Sequence, residues 1–447
     1  MTGFFRAPFM KKLTGRFARN AGWIMAQQIY SMLLSFLVGV VAARYLGPEN
    51  MGLIKTGFSF ITFFTVLCRL GLNGILVNDF ASRPERSGEL IGTALALRLS
   101  CSILSAGALY ALVRGTNPGN PLFVALTTLQ SIALLTDTCE ILAWWFKARL
   151  MAKFVSLGSM IASTAMGAWR IVQLARGASV EWFALSAAVQ SAVSGAFLIA
   201  MFAAKSDFRL RFSWETLRDL VRRGKFMLAS AIVIQIYVQT DVIMLFHLYG
   251  EGTAGYYTTA FDLAWIWIFI PHAIIDTARP LIADAKRADP AGYLRKFQSL
   301  LLALSLMGIV VGIGFTLLGG RALRLLYGDA FMPAARPLLV AIWTTNLSLI
   351  GVARGIWFVA EERYRYAAIC SCFGAAFNVA SNLIFIPIYG MMGAAVVTLL
   401  SEVVATFVAP LCFKEIRSFP RLYLGSFRMI PSALRSVRAR AAASRGG

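Results

Sequence analysis

Charged side chains occur inside stretches of the sequence that are otherwise apolar, and these residues have the chemistry to bind a ligand. Arg98 is followed by Ser102 and Ser105 on the same helical face. Arg170 lies in a second apolar stretch with small and polar neighbours. In a bilayer, each such charge costs about 2.5–3.5 kcal/mol on insertion scales. Because a guanidinium stays ionised and can donate two parallel hydrogen bonds to a phosphate, these arginines indicate a site for an anionic ligand.

A structural role competes with this interpretation. Small and polar residues also hold membrane helices together, and Arg98 could instead form an ion pair with Asp137 or Glu140. Lys55 and Arg69 lie nearer to the predicted helix ends, where long side chains can reach the membrane interface. The predicted substrate-binding residues are Arg98, Arg170, Arg69, Lys55, Gln130, Asp137, Gln239, Asp241 and Asp262.

The sequence lacks the residue patterns of a metal centre or a hydrolytic active site. It has only His247 and His272, and its six cysteines have neither disulfide nor metal-knuckle spacing. No Walker loop and no GxSxG motif occurs. We therefore predict no enzyme activity, no catalytic residue, no metal and no cofactor. A coupling ion, Na⁺ or H⁺, stays open, since Glu402 and Asp276 suit either ion coupling or structural pairing.

The composition is that of a polytopic membrane protein. Of the 447 residues, 58% are hydrophobic and 14% are charged, whereas soluble proteins contain about 25% charged residues. The mean hydropathy is +0.69. Since a span needs about 20 apolar residues, we predict an all-α fold with about twelve transmembrane helices in two pseudo-symmetric six-helix bundles. The predicted spans are 21–43, 51–72, 89–112, 121–144, 154–175, 180–203, 226–249, 255–278, 294–318, 334–357, 364–386 and 391–413.

The distribution of lysine and arginine predicts the orientation of the chain. The net charge is +22, from 43 basic and 21 acidic residues. Of the 43 basic residues, 33 lie on the side of the chain termini and 6 on the opposite side. Because lysine and arginine are retained on the cytoplasmic side, we predict that both termini are cytoplasmic. This asymmetry accounts for most of the positive charge, so we predict no nucleic-acid partner.

Two landmarks repeat at similar offsets, which indicates a duplicated six-helix unit. The Gly47-x4-Gly52 turn recurs as Gly250-x4-Gly255. A Trp-Phe-x-Ala motif begins at position 145 and recurs at position 357. Both pairs keep the same side of the membrane, so the repeats are parallel.

The repeat divides the chain into five predicted segments. They are a basic cytoplasmic tail at 1–20, an N-terminal six-helix bundle at 21–203, a basic cytoplasmic linker at 204–225, a C-terminal six-helix bundle at 226–413 and a basic cytoplasmic tail at 414–447. The linker suits either an interfacial helix on an anionic leaflet or a solvated connection. The end of the last tail is rich in small and basic residues, and we predict that it is disordered.

Several motifs resemble those of a known transporter family. The turn from Ala43 to Gly52, which reads Ala-Arg-Tyr-Leu-Gly-Pro-Glu-x-x-Gly, resembles the signature after the first helix of bacterial polysaccharide-unit flippases. These flippases belong to the multidrug/oligosaccharidyl-lipid/polysaccharide exporter superfamily. The further matches, spread over residues 15–413, are Asn20, Arg69-Leu70-Gly71-Leu72, Gly250-x4-Gly255-Tyr256-Tyr257 and the run from Asn382 to Ala395.

The resemblance implies two six-helix bundles around a V-shaped cavity that opens alternately to the two sides. It also implies movement of an undecaprenyl-pyrophosphate-linked oligosaccharide from the cytoplasmic to the periplasmic leaflet of the bacterial inner membrane. The implied partners are the lipid-linked glycan, the bilayer, and the polysaccharide polymerase and glycosyltransferases of the same pathway. The peptidoglycan-precursor branch usually has fourteen helices, so twelve helices fit the O-antigen or exopolysaccharide branch better.

Two other functions stay open from the sequence. A multidrug or cation antiporter of the same superfamily would favour an acidic cavity, whereas this chain carries both signs of charge, with Arg98 and Arg170 at depth. A polymerising or ligating membrane enzyme would need large outer loops that carry catalytic residues. The predicted outer connections are short, which argues against such an enzyme.

Overall fold

The structure is a computed structural model in which every described regular element is a helix. It describes residues 7–289 and 292–429, with side chains from Arg19 onward except at Phe226, Ser230 and Pro280. The helices are α1 (Ala7–Arg69), α2 (Leu72–Ser82), α3 (Ser87–Thr116), α4 (Pro121–Thr136), α5 (Glu140–Ala148), α6 (Ala152–Ala175), α7 (Val180–Ala184), α8 (Ser186–Lys205), α9 (Trp214–Tyr249), α10 (Glu251–Trp265), α11 (Phe269–Ala288), α12 (Tyr293–Tyr327), α13 (Ala335–Ala360), α14 (Arg365–Val403), α15 (Ala409–Leu411) and α16 (Ser418–Phe427). Short 3₁₀ turns lie at Pro84–Arg86, Asp137–Cys139 and Asp329–Ala334, and a π-helix lies at Val404–Val408.

Among the described residues, eight helical segments are long and apolar enough to cross a membrane, and a ninth follows if the bent pair α10 and α11 forms one span. Two of the eight each contain two predicted spans, namely Arg19–Ser82 with 64 residues and Arg365–Leu411 with 47 residues. The 24 residues of α6, which contain the predicted span 154–175, extend about 36 Å, more than the ~30 Å hydrocarbon core, but α6 is not among these eight apolar segments. The prediction of an all-α polytopic membrane protein is confirmed.

The two longest helices, α1 and α14, are each interrupted at a glycine. Gly47 has φ 75° and ψ 172° and is followed by Pro48. Gly390 has φ 56° and ψ −137° and lies shortly after Pro387. A positive φ carries no steric cost for glycine, and proline removes a helical hydrogen bond. Both breaks fall between consecutive predicted spans, so the sequence itself divides each long helix into two membrane crossings.

The chain divides into two compact units, Met1–Gly255 and Tyr256–Gly447. A large apolar core of the first unit is formed by α2, α3, α5, α8 and the beginning of α9. In it, the Trp145 ring packs edge-on against Phe202, with ring centroids 5.1 Å apart. Full burial of one such apolar side chain stabilises by roughly 1.5–3 kcal/mol. This core therefore fixes the short helices that carry the ionisable residues described below.

The predicted linker at 204–225 is bound to the first unit along its length. The Arg211 backbone N–H donates to the Gly88 carbonyl oxygen at 3.1 Å. Ser213 caps α9 by accepting a hydrogen bond at its side-chain oxygen. The second half of the linker is thus the first part of α9, where the Trp214 side chain is 68% exposed. Its contact with a membrane leaflet stays a prediction.

The second unit begins within α10 and contains α11 to α16, in which α12, α13 and α14 pack in sequence and α16 packs on α12. The π-helix follows directly after α14. The predicted cytoplasmic tail at 414–447 begins with the helix α16. The predicted disorder at its end concerns 430–447, which lie outside the described residues.

Candidate functional site

Two arginines and two carboxylates of the first unit form a compact ion-pair cluster. Arg98 Nη2 lies 2.7 Å from Asp137 Oδ2 and 2.9 Å from Glu140 Oε2. Arg69 Nη2 lies 3.5 Å from the same oxygen of Asp137 and 3.0 Å from the same oxygen of Glu140. Each carboxylate therefore contacts both guanidinium groups, and the formal charges cancel. We call Arg69, Arg98, Asp137 and Glu140 the charge quartet.

The 3₁₀ turn between α4 and α5 explains why the two carboxylates point the same way. In a 3₁₀ helix, side chains three positions apart are eclipsed. Asp137 opens this turn, and Glu140 follows as the first residue of α5. Arg98 comes from the middle of α3 and Arg69 is the last residue of α1. The charge quartet thus joins three separate parts of the first unit.

The two arginines of the charge quartet differ strongly in exposure. The Arg98 side chain is 2% exposed, whereas the Arg69 side chain is 43% exposed. Arg98 Cζ lies 5.2 Å from the Trp144 ring centroid, and Nε and Nη1 of Arg98 have no hydrogen-bond partner in the described part of the chain. A buried guanidinium in this state depends on its carboxylates for compensation. Arg69 is therefore the cation of the quartet that an approaching ligand can reach.

The structure brings three of the nine predicted site residues together, namely Arg69, Arg98 and Asp137. It adds Glu140, which the sequence analysis treated only as a pairing partner of Arg98. The binding role and the ion-pair role predicted for Arg98 both concern the charge quartet. The ion-pair partners are now defined, while contact of any of these residues with a substrate stays a prediction.

Gln130 and Arg170 make contacts that connect helices. Gln130 is buried, and its Nε2 donates to the Ile54 carbonyl oxygen at 3.0 Å, which ties α4 to α1. Arg170 lies near the end of α6, and its Nε donates to Ser186 Oγ at 3.0 Å, which ties α6 to α8. These contacts give both residues a role in packing whether or not they meet a substrate.

The remaining four predicted residues lie on other elements or far along the same helix. Lys55 is half-buried on α1, about 21 Å from Arg69 at 1.5 Å per residue. On α9, Gln239 is half-buried and Asp241 is buried. Asp262 is exposed on α10, in the second unit. Their contact with a substrate stays a prediction.

A buried cation in the second unit was missed by the sequence analysis. The charge count places Arg354 on the cytoplasmic side, because the predicted span 334–357 ends three residues later. In the structure α13 continues to Ala360, and Arg354 is buried within it. Its Nη1 donates to the Ala405 carbonyl oxygen in the π-helix. π-helical segments are frequent at functional sites, which makes this contact a candidate for a functional role. In the sequence, the available signal was an arginine that lies just before the Trp-Phe motif of this half.

The turn that contains Gly52 packs directly on the turn that contains Gly255. A Cβ atom added to Gly52 would overlap the Glu251 carbonyl oxygen, and one added to Gly255 would overlap the Pro48 carbonyl oxygen. Asn120 Nδ2 also donates to Glu251 Oε1 at 2.7 Å. Only glycine allows two backbones to approach this closely. The two repeated Gly-x4-Gly motifs therefore contact each other, on the side predicted to be periplasmic.

A second glycine contact joins α1 to α9 at the opposite end. A Cβ atom added to Gly71 would lie 2.6 Å from Met227 Cβ, and one added to Gly224 would lie 2.5 Å from the Leu70 carbonyl oxygen. Real Cβ atoms essentially never come closer than 3.0 Å to a heavy atom. The start of α9 is thus held tightly against the end of α1, on the side predicted to be cytoplasmic.

An ion-pair network reinforces this cytoplasmic-side contact. Arg223 donates from Nη1 to Asp79 Oδ1 at 3.1 Å and from Nη2 to Asp79 Oδ2 at 2.6 Å. Its Nη2 also lies 2.7 Å from Asp219 Oδ2. The side-chain hydrogen bond with Asp79 raises the pKa of the Arg223 guanidinium above its usual value. This paired geometry, with two parallel hydrogen bonds, fixes α9 on α2 in direction as well as in distance.

Solved membrane transporters have the same fold. A lipid II flippase in an inward closed conformation superposes with a TM-score of 0.67 over 94% of this chain and 93% of that chain, at 12% identity. An inward-facing multidrug resistance MATE family transporter of the MOP superfamily gives a TM-score of 0.65 over 92% and 96% of the two chains, at 16% identity. At these identities, the likeness establishes the fold and leaves the substrate open.

The sequence is also similar to proteins of glycan biosynthesis. A protein of Haloferax volcanii named "Probable low-salt glycan biosynthesis flippase" is 22% identical over 395 residues, which are 87% of this chain and 82% of that protein. The succinoglycan biosynthesis transport protein of Rhizobium meliloti is 24% identical over 248 residues, 54% of this chain and 48% of that protein. The sequence model of the polysaccharide biosynthesis protein family matches residues 17–286. Because this match covers more than half of the 447 residues, the chain belongs to the polysaccharide biosynthesis protein family.

Proposed function

We propose that this protein flips an undecaprenyl-pyrophosphate-linked oligosaccharide from the cytoplasmic to the periplasmic leaflet of the bacterial inner membrane, for the biosynthesis of a surface polysaccharide such as O-antigen or exopolysaccharide. The observation that carries the proposal is Arg69, a half-exposed guanidinium within a chain of membrane-spanning helices. The names of the flippase and transport proteins to which the chain is similar agree with this activity.

The charge quartet suits a diphosphate group for a physical reason. Asp137 and Glu140 neutralise the arginines while no substrate is bound. A diphosphate offers several anionic oxygens, and an arginine can bind it through two parallel hydrogen bonds. Because Arg69 already shares its carboxylates with Arg98, it can turn towards a phosphate while the carboxylates keep one guanidinium partner. The glycan would remain in the polar cavity and the polyprenyl tail in the lipid.

A multidrug or cation antiporter remains the second candidate function, favoured by the structural similarity to the MATE family transporter. An antiporter for cations needs an excess of negative charge in its binding site. The charge quartet contains as many arginines as carboxylates, and its exposed cation is Arg69. We therefore rank the anionic lipid-linked substrate first. The coupling ion, Na⁺ or H⁺, belongs to the proposal as well, together with the glycosyltransferases and the polymerase that would act before and after this step.

Purified protein in proteoliposomes tests the proposed function. A fluorescent short-chain lipid diphosphate that carries a glycan is placed in both leaflets, and a membrane-impermeant reductant quenches the outer one. We expect flipping to raise the quenchable fraction above the one-half that protein-free vesicles give. Efflux of a cationic dye without any movement of the glycolipid would support the antiporter instead.

The orientation predicts which positions an impermeant thiol reagent labels in intact cells. In a background without native cysteines, Glu215→Cys is expected to stay unlabelled until the membrane is permeabilised, because residue 215 lies in the segment predicted to be cytoplasmic. The matched control is Gly119→Cys, at an exposed connection between α3 and α4, which should label in intact cells. Labelling of residue 215 in intact cells at the level of residue 119 would reverse the orientation.

Alternating access predicts a functional role for the contact between Gly52 and Gly255. In Gly52→Ala, the added carbon would overlap the Glu251 carbonyl oxygen. Overpacking of this kind costs about 1–3 kcal/mol. This cost lowers the population of the state in which the two turns are in contact by about 5-fold to 150-fold. We expect surface glycan to fall by a similar factor while the membrane content of the protein stays normal.

The control for this prediction lies in the same helix. An added Cβ on Gly39 meets no atom within 4 Å, so Gly39→Ala should leave both surface glycan and protein level unchanged. Normal export by Gly52→Ala, measured beside Gly39→Ala, would show that the contact does not have to close during transport.

A further inference from the structure

A cavity of about 340 Å³ lies in the second unit, on the membrane-spanning helices α12, α13 and α14. Its size falls in the range of about 300–1,000 Å³ typical of small-molecule sites. Most of the lining is apolar, from isoleucine, leucine, valine and tryptophan side chains. The lining residues are Ser305, Ile309, Trp343, Asn346, Leu347, Ile350, Leu399, Leu400, Val403 and Tyr423.

The helix α16 reaches one end of this cavity. Ser305 Oγ donates to the Tyr423 hydroxyl oxygen at 3.2 Å, so Tyr423 of α16 lies against the wall formed by α12. Gln298 Nε2 donates to the Leu422 carbonyl oxygen at 3.1 Å, about two turns nearer to the beginning of α12 than Ser305. The contact between α16 and α12 therefore extends from the cavity wall towards the first turns of α12, on the side predicted to be cytoplasmic.

Basic side chains lie on α12 and α16, on the side of the cavity predicted to be cytoplasmic. On α12, Lys296 and Arg295 come nine and ten residues before Ser305 of the cavity wall, about 14–15 Å at 1.5 Å per residue. Arg421 precedes Tyr423 by two positions, and Arg295 and Lys296 precede Gln298 on α12. All three are exposed, and none forms an ion pair with another described residue. Asp289, the acidic residue before α12, is engaged, because its Oδ1 accepts a hydrogen bond from the Gly292 backbone N–H at 2.8 Å. The side of α12 and α16 predicted to be cytoplasmic therefore carries positive charge that no ion pair among the described residues balances.

We propose that this cavity binds one acyl chain of an anionic phospholipid, with the lipid phosphate held by Arg421, Arg295 and Lys296. The apolar lining matches a hydrocarbon chain. The three basic residues on the cytoplasmic side match the headgroup, since clusters of lysine and arginine at the cytoplasmic membrane surface attract anionic lipids. The bound lipid would join α16 to α12, and so hold the last described helix on the other helices of the second unit. The site is separate from the charge quartet and does not depend on the proposed function.

Native mass spectrometry of the purified full chain tests this site. The protein is exchanged into detergent that contains equal amounts of phosphatidylglycerol and phosphatidylcholine, and bound lipid is counted per chain. We expect wild-type protein to retain one phosphatidylglycerol in preference to phosphatidylcholine. In Val403→Trp, the larger side chain occupies the cavity, and retention of that lipid should fall at least about tenfold, the equivalent of about 1.4 kcal/mol.

The matched control for the filled cavity is Leu306→Trp, next to Ser305 but at an exposed position on the same helix, which should retain the lipid. A triple variant, Arg295→Gln with Lys296→Gln and Arg421→Gln, should still bind a lipid but lose the preference for phosphatidylglycerol. If Val403→Trp does not fold, Ser305→Phe provides the same test from the opposite wall.

Three results would overturn the proposal. Equal phosphatidylglycerol retention by Val403→Trp and Leu306→Trp would place the lipid outside the cavity. An unchanged preference in the triple variant would remove the role of the basic residues. Displacement of the bound lipid by undecaprenyl phosphate at concentrations where excess phosphatidylglycerol fails to displace it would assign the cavity to a polyprenyl chain instead.

Discussion

Replacing Arg98 with glutamine is expected to remove most of the folded protein from the membrane. In wild-type protein, Arg98 Nη2 contacts both Asp137 and Glu140 within 3 Å, and its side chain is almost fully buried. Glutamine leaves the two carboxylates with Arg69 as the one remaining cation of the quartet, and removing one partner of a buried ion pair costs up to about 3–5 kcal/mol. Since domains are stable by only about 5–15 kcal/mol, the loss should be visible as low abundance. Fluorescence-detected size-exclusion chromatography of a tagged chain measures it.

A compensating variant separates a structural role of Arg98 from a role in binding. When Asp137→Asn and Glu140→Gln are added to Arg98→Gln, no unpaired buried charge remains, and most of the folded protein should return. The control is Arg324→Gln, which breaks a pair with Asp329 in which both side chains are more than half exposed. Such surface pairs contribute about 0–1 kcal/mol, so this variant should keep its abundance. Normal abundance of Arg98→Gln, with export lost, would instead assign Arg98 to the substrate.

The sequence located the ionisable residues and offered Asp137 or Glu140 as a pairing partner of Arg98, but it could not show that Arg98 bonds to both carboxylates or that Arg69 shares them. An arginine within an apolar stretch is visible directly, because hydrocarbon tolerates so few charges. The partners of Arg98 lie 39 and 42 residues away in the chain, and no periodicity connects positions so far apart. The 3₁₀ turn that aligns Asp137 with Glu140 is equally hidden, since it lies within one long apolar run.

The spans themselves were predictable because hydropathy reports burial in lipid regardless of packing. The breaks at Gly47 and Gly390 were also predictable, because glycine readily adopts a positive φ and this preference is local to the chain. Helix ends were harder to predict, because a basic residue such as Arg354 near an apolar run suggests an interface. In the structure, hydrogen bonding to the Ala405 carbonyl oxygen and contact with the Phe358 ring hold Arg354 inside α13. The Phe358 contact is local, but Ala405 lies 51 residues away in the chain, and a hydropathy profile does not represent such a partner.

The charge quartet also changes which arginine should be decisive for transport. Arg98 donates from Nη2 to both Asp137 and Glu140, and both bonds lie within the protein. Arg69 makes longer contacts with the same oxygens and remains nearly half exposed. The Arg69 side chain is 43% exposed and lies 3.5 Å from Asp137 and 3.0 Å from Glu140, so we expect it to exchange these contacts for a phosphate more readily than the buried Arg98. Arg98 then acts as a positioning residue, which keeps Asp137 and Glu140 in place beside Arg69.

Arg69→Gln should therefore abolish most glycan export while the protein remains folded at normal abundance. A hydrogen bond to a charged group contributes about 1.5–3 kcal/mol, so substrate affinity should fall about 10-fold to 150-fold. Arg69→Lys keeps the charge but loses the paired donors, and should retain part of the export. Arg114→Gln is the matched control, because Arg114 is exposed and, within the described part of the chain, bonds only to Tyr110 of its own helix. Surface glycan and folded protein are measured together in all three variants. Full export by Arg69→Gln would exclude Arg69 from the substrate site, and loss of its folded protein would assign both arginines of the charge quartet to structure.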